Sequence, residues 1–193
     1  MSLLIRPVGV SDLSACHAHL YRHSVENGRN GNLIHAPFAG PRDVTLEEFS
    51  KGLTVTLQKA SSELGWERQW GLFDGSEIRG TIQLRQAPRV DASLHRALMA
   101  MGIERDFRGQ GWGGRLLQTA LDWARAETTL AWVDLGVFEH NAPARALYRK
   151  FGFKEVGRRE DLFRVHGVRI TDIQMVLELP GTAPISSAER TGN

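Results

Sequence analysis

Cysteine is almost missing from this chain of 193 residues: Cys16 stands alone. A lone thiol excludes an internal disulfide and fits a reducing compartment, for which the cytoplasm is the expectation. No apolar run reaches the length that crosses a bilayer, and MSLLIRPVGVSD has no basic region followed by a long apolar one, so neither a membrane span nor a leader is expected. Charge of one sign is scarce as well. The 24 Lys and Arg residues against 22 Asp and Glu leave a net charge of +2, without the basic excess that marks a dedicated nucleic-acid binder.

What the chain does have is glycine. Of its 20 glycines, Gly109, Gly111, Gly113 and Gly114 crowd into one stretch, LMAMGIERDFRGQGWGG, from Leu98 to Gly114. The first half of that stretch, Leu98 to Ile103, has the length and composition of a buried strand. Past the glycines a helical pattern follows, Leu116, Leu117, Ala120, Leu121 and Ala124. A helix that begins on a glycine loop offers free N–H groups and the positive end of its dipole to an anion. The stretch therefore predicts a phosphate cradle. The length suits one domain with a sizeable core, over residues 1–179, and the polar residues 180–193 read as a disordered tail.

Around this centre the chain reads in order. Leu3 to Arg6 is a strand ended by Pro7, and Ser11 or Asp12 caps a helix that buries Leu13, Cys16, Leu20 and Tyr21. Cys16 on that stripe reads as buried filler. His19 and His23 lie one turn apart, a spacing that can place two imidazoles on one metal. With no third ligand in view they read as solvated, and no metal is expected. Glu26 to Asp43 is rich in Gly, Asn and Pro, and a loop of that length is either a mobile connection or a substrate-facing lid. Thr45 with Glu48 opens a helix that runs toward Ala60.

Strands at about Glu67 to Phe73 and Ile78 to Arg85 meet at an Asp74-Gly75 turn, with Trp66 and Trp70 read as core. Gln86 to Arg96 is a connection. After the central strand and its helix, which ends near Glu127, come a strand from Leu130 to Phe138 and a helix capped by Asn141, with Pro143 in its first turn and Gly152 at its end. Two strands close the pattern, Phe153 to Val165 and Val168 to Leu179, turned at His166-Gly167.

Two readings compete for the glycine loop. Gly109, Gly111 and Gly114 satisfy G-x-G-x-x-G, and Asp134 follows Gly114 by 20 residues, the layout of a dinucleotide-binding fingerprint. Against it, Glu104 to Arg108 separate strand from loop, Asp134 lies inside an apolar run, and too few strand-helix units follow. In the second reading Arg108-Gly109-Gln110-Gly111-Trp112-Gly113 fits Q/R-x-x-G-x-G/A. Asn141, Ala144, Leu147, Tyr148, Gly152 and Phe153 are close to N-x-x-A-x-x-L-Y-x-x-x-G-F. In this order and separation the two resemble signatures of the bacterial GNAT N-acetyltransferase superfamily. The resemblance spans about Leu3 to Leu179 and is specific from about Leu98 to Phe153.

The resemblance implies an α/β (α+β) fold, a mixed and mainly antiparallel central sheet flanked by helices. It implies acetyl-CoA as co-substrate, with its pyrophosphate on the N–H groups from Gly109 to Gly114 and with Arg108, Gln110 and Trp112 beside them. Its pantetheine arm would pair with the edge Met101, Gly102 and Ile103, splayed from Leu130 to Phe138, with Asn141 and Ala144 nearby. The Ile103 N–H would polarise the thioester carbonyl, and Tyr148 would protonate the leaving thiolate. Transfer to a primary amine would be direct, with no acyl-enzyme.

An amine must shed a proton before it attacks, and the family's glutamate on the central strand corresponds here to Ala97. Glu104, Glu139, His95, His140 and Asp134 are the alternatives, with solvated surface charge as the default for each. The segment GRREDLFRVHGVRITDIQM resembles the closing hairpin of subfamilies that acetylate amino acids, amino-acid-like antibiotics or protein N-termini, with Asp172 either part of that pattern or a structural acid. Arg29, Arg42, His35 and Phe38 would suit a small carboxylated amine. The expected acceptor is thus a small-molecule amine, with a protein or peptide amine as rival and a non-catalytic acyl-CoA-binding module as the third reading. Neither nucleic acid nor membrane is an expected partner, and a homodimer is compatible with the resemblance.

Overall fold

The computed structural model of the protein describes residues 3–41, 44–88 and 90–180. Its strands are β1 (Leu4–Pro7), β2 (Glu67–Asp74), β3 (Glu77–Gln86), β4 (Arg96–Ile103), β5 (Trp132–Phe138), β6 (Lys154–Val165) and β7 (Val168–Glu178). Its helices are α1 (Leu13–Val25), α2 (Leu46–Gln58), α3 (Trp112–Ala126) and α4 (Ala142–Lys150). The strands form one sheet in the order β1-β2-β3-β4-β5-β7-β6. Every neighbouring pair is antiparallel except β4 and β5. This is the mixed, mainly antiparallel sheet of the expected α/β fold. A single parallel pair at its centre is incompatible with the doubly wound sheet that the dinucleotide reading requires.

Local chemistry explains most boundaries. Thr45 caps α2, accepting from the Glu48 N–H while the Glu48 carboxylate accepts from the Thr45 N–H, as the spacing predicts. Asn141 caps α4 through the Ala144 N–H at 3.3 Å, with Pro143 in the first turn. The start of α1 differs from expectation. Asp12 precedes the helix without capping it, because its carboxylate is taken by Arg6 at 2.7 and 2.8 Å and by the Gly9 N–H.

The main core lies between the sheet and α3. All five predicted α3 residues, Leu116, Leu117, Ala120, Leu121 and Ala124, are fully buried, and Trp66 and Trp70 pack with Trp123 at ring-centre distances of 5.5 and 5.6 Å. Burial contributes roughly 1.5–3 kcal/mol per leucine, enough to hold a helix whose first turn is weakened by two glycines. On the opposite face Cys16 packs with Val8, Phe73 and Ile78. Burial pushes the Cys16 thiol up to about 12, so it remains an unreactive filler. No helix among the described residues is long and apolar enough to cross a membrane. The expected disordered tail falls, apart from Pro180, outside the described residues.

Candidate active site

Strand β4 pairs with β5 only at Arg96–Trp132, Ala97–Val133 and Leu98–Asp134. Its other edge stays paired with β3 through Ile103. From Met99 onward β4 therefore presents a bare edge toward β5, the splay that the family resemblance implied. Strand alternation fixes which groups line it. The Glu104 N–H donates to Arg79 O on the β3 side, so the Ile103 N–H one residue earlier points the other way, into the opening. Ile103 O points there too and accepts from Arg108 Nε at 2.7 Å.

The two signatures meet at the first turn of α3. A methyl group placed on Gly113 would lie 3.4 Å from Leu147 Cδ2, 3.5 Å from Ile103 Cδ1 and 3.8 Å from Met101 Cε. Helix α4 thus approaches the start of α3 beside the bare edge, at the distance of ordinary contact. Gly109 and Gly111 adopt φ of +74° and +83°, a conformation that favours glycine, and a methyl on either would touch nothing within 4 Å. No side chain caps α3. Its first N–H groups stand open beside unfilled space, which fits a pyrophosphate.

The side chains of the loop serve its shape. Gln110 Nε2 donates to Asp106 O at 2.7 Å, the Arg115 guanidinium lies over the Trp112 ring, and Arg108 bonds Glu26 Oε2 at 2.8 Å. Tyr148 is buried, and burial pushes its hydroxyl up to about 12. No hydrogen bond to its hydroxyl is among those formed by the described residues, so the structural bond that would explain a buried tyrosine is not made within them.

Histidines line the other face of β4, contrary to the solvated reading. His19 is fully buried and its Nδ1 bonds Glu104 Oε1 at 2.9 Å. The His23 ring sits on Gly102, where a methyl would meet Nε2 at 2.6 Å. His23 also stacks on His19 and packs at 4.0 Å from His35. Burial first, then His35, His19 and Arg108, pushes the His23 imidazole down to about 2, and His35 is lowered mainly by burial. Both rings are neutral at working pH. Among the described residues no group of three His, Cys, Asp or Glu side chains is arranged to hold a metal ion. The missed signal was a fit between distant residues: Gly102 has no side chain, and α1 fills that space with an imidazole.

The five proton-acceptor candidates are scattered. Glu104 is buried, not solvated, and is bonded by His19 and Arg22 with Arg79 at 3.5 Å. Asp134 is held by Arg96 at 2.5 and 2.8 Å, a partner inconsistent with a ribose-binding acid. Glu139 pairs with Arg158, and His140 Nε2 bonds Ile34 O at 2.7 Å. His95 precedes the end of β4 that stays paired with β5, away from the splay.

The described part of the loop from Glu26 is a folded structure, not a free connection. Buried Asn27 holds it from within: its carbonyl accepts from the His35 and Ala36 N–H groups, and its amide donates to Ala36 O and Phe38 O. Ile34 packs with Phe138, Phe163, Val165 and Ile170, so the loop rests on β5 and the β6–β7 hairpin. Arg29 has an exposed position on this loop, and Arg42 lies outside the described residues.

Comparison with known proteins agrees with this geometry. The acetyltransferase (GNAT) family model matches residues 41–153. The N-alpha-acetyltransferase RimI of Mycobacterium tuberculosis is 36% identical over 88 residues, 46% of this chain and 51% of that protein. The chain thus spans about half the length of this curated relative. A GNAT-family acetyltransferase structure from Streptococcus pneumoniae superposes with a TM-score of 0.80 at 24% identity, covering 92% of this chain and 99% of that one. A phosphinothricin acetyltransferase from Sinorhizobium meliloti in complex with acetyl-CoA gives 0.76 at 17% identity over 98% and 97% of the two chains. These structural likenesses are likenesses of fold. The family model, however, covers more than half of the sequence and contains the split strands, the glycine loop and the tyrosine helix, so the chain belongs to the acetyltransferase (GNAT) family.

Proposed function

We propose that the protein transfers an acetyl group from acetyl-CoA directly to the primary amine of a small amino-acid-like molecule. One observation carries the reading: the β4–β5 ladder ends at Leu98–Asp134, leaving a bare strand edge that leads to an open helix N-terminus. Extended pantetheine can pair along that edge as a further strand would, with its pyrophosphate on the N–H groups from Gly109 to Gly114 and the arm passing Met101, Gly102, Asn141 and Ala144.

Within the splay the Ile103 N–H polarises the thioester carbonyl and takes up charge as it develops on the oxygen. The amine nitrogen bonds the carbonyl carbon, the carbon–sulfur bond breaks, and the electron pair leaves with sulfur. Tyr148, held protonated by burial, is the donor to that sulfur. A phenol raised to about 12 does not surrender its proton outright to a thiolate of pKa about 8.5. It stabilises the sulfur by hydrogen bonding, and the proton shed by the amine completes the thiol.

The folded loop on Phe138 and the hairpin roofs the acceptor side and favours a compact substrate. The relative from Mycobacterium tuberculosis, an N-alpha-acetyltransferase, supports a polypeptide N-terminus as the second reading. Thermal unfolding with acetyl-CoA, and with NAD as control, tests the co-substrate. A ligand at 100 times its Kd adds about 2.7 kcal/mol, a rise of several degrees in Tm. Thiol release in the presence of amino acids or of peptides then separates the acceptors.

A further inference from the structure

The acceptor side of the opening is floored by two small exposed residues, Ala100 on β4 and Gly136 on β5. Both lie two residues beyond the last pair, Leu98–Asp134. By alternation they share the face of Gly102, Arg96 and Asp134, the face turned away from α3. Over Gly136 lies a carboxylate that the reaction above does not use. A methyl on Gly136 would fall 2.8 Å from Asp172 Oδ1 and 3.2 Å from Oδ2, so only glycine lets the Asp172 side chain lean from β7 across β5 toward the splay.

Asp172 is 3% exposed, yet only one of its oxygens is engaged: Oδ2 accepts from Arg159 Nη2 at 2.8 Å. Oδ1 accepts no hydrogen bond from the described residues. Arg159, half exposed, spends Nη2 on this pair, and among the described residues its Nε and Nη1 have no acceptor. Asp134, Glu104 and Glu139, the other acids considered at this site, are each bonded by cations. A buried carboxylate with a free oxygen beside a guanidinium with free donors presents opposite charges side by side. An α-amino acid in its zwitterionic form carries the complementary pair on one carbon.

Resting on the acetyl-transfer reading, the geometry points to Asp172 and Arg159 as the acceptor-recognition pair: Asp172 Oδ1 receives the α-ammonium of a free amino acid and Arg159 its carboxylate. The acceptor nitrogen is thereby delivered to the splay from the β5 side, opposite the bare edge of β4. Gly136 is the specificity-determining gap that keeps the carboxylate in place.

The test measures thiol release from acetyl-CoA by the intact protein with each of the twenty free amino acids, with the corresponding amino-acid amides, and with an alanine-ended tetrapeptide. The expected result is turnover of one or more free amino acids and poor use of their amides. Asp172→Asn should raise KM for the amino acid roughly 30-fold or more, as loss of a buried charge partner does, while the Tm rise with acetyl-CoA is unchanged. Arg159→Gln should raise KM for the free acid and not for its amide, a split that a merely structural role would not produce. Gly136→Ala keeps both charges and should raise the same KM by displacing the carboxylate, so the proposal stays testable if Asp172→Asn does not fold. Equal use of acids, amides and tetrapeptide, no turnover of any α-amine, or an unchanged KM in folded Asp172→Asn overturns it. Absence of an acetyl-CoA shift in the wild-type protein overturns the acetyl-transfer reading instead, and the two failures are thus distinct.

Discussion

The side of the opening that faces α3 and the side that faces α1 are assembled from different materials. On the α3 side the groups proposed to act are mostly backbone: the Ile103 N–H, the bare edge from Met99, and the first turn of α3, with the buried Tyr148 beside them. On the α1 side they are side chains from four distant segments: His19 and His23 of α1, His35 of the folded loop, Glu104 after β4, and Asp172 of β7. The first arrangement suits a ligand that does not change, as the proposed thioester donor would not from one acceptor to the next. The second can be rebuilt one residue at a time without disturbing the first.

The sharpest way to test that division is to damage the backbone half alone. Gly111→Val puts a branched residue at φ of +83° and fills the space against the helix N-terminus. Strain of about 1–2 kcal/mol leaves the protein folded, while acetyl-CoA affinity should fall by roughly 100-fold or more, since several N–H contacts of about 1–3 kcal/mol each are lost. Calorimetric titration checks it, and near-normal affinity would mean that the phosphates bind elsewhere.

Second in size is Tyr148→Phe, which removes the hydroxyl proposed to donate to the leaving sulfur. A hydrogen bond to a charged group is worth about 1.5–3 kcal/mol, so kcat should drop roughly 10- to 100-fold, with acetyl-CoA Kd unchanged. Because burial holds Tyr148 near 12, its loss of a proton should cause no falling limb in the wild-type rate below about pH 10. An earlier fall, absent from the phenylalanine variant, would show that the bound state lowers this hydroxyl.

The same division explains what could be read without a structure. The strand from Leu98, the glycine loop, the α3 stripe and the Asn141 cap are local patterns, in which each residue's role depends on neighbours a few positions away. The splay follows from the family resemblance, as does the role expected of Ile103, whose N–H the alternation of the strand turns into the opening. The α1 side was misread where sequence distance hid the contact. His19 and Glu104 are 85 residues apart and each reads as solvated, yet they meet at 2.9 Å. His23 could not be placed without knowing that the glycine beneath it is Gly102. Asn27 stands in a polar, glycine-rich run that reads as either a mobile connection or a lid, and its four hydrogen bonds show that the described part is folded.

Glu104→Gln tests whether the α1 side is held by charge. Burial alone would raise this carboxyl, but His19 and Arg22 outweigh it and hold the group below its usual value. A lowered carboxyl contributes stability that is present above the unfolded value of about 4.3 and lost as pH falls through the folded one. The variant should lose roughly 1.5–3 kcal/mol at pH 7 and show a flatter decline below pH of about 4.3. Urea unfolding at pH of about 7 and 3 reads both. An unchanged midpoint at neutral pH would mean that packing, not the ion pair, fixes α1 on β4.

The smallest expected effect is the most selective. Asn27→Ala removes the four bonds that its side chain makes, but these join loop residues to one another and touch neither β4 nor α3. Ile34 keeps its apolar seat on Phe138 and the hairpin, so the loop loosens and is not released. Net hydrogen-bond contributions are about 1 kcal/mol each, and the freed backbone groups near the surface recover part of that from water. The consequence should appear in KM for the amine, roughly three- to tenfold higher, the equivalent of about 1 kcal/mol. Acetyl-CoA affinity should not move, since the cradle and the bare edge are built elsewhere. Were acetyl-CoA binding to weaken instead, the Glu26–Arg108 ion pair at 2.8 Å would be the route, because it ties the start of this loop to the residue that opens the glycine stretch. The two sides of the opening would then be mechanically coupled through the contacts that Glu26, Asn30 and Asn32 make with Arg105 and Arg108, and Glu26→Gln should reproduce part of the loss while leaving the Asn27 bonds intact.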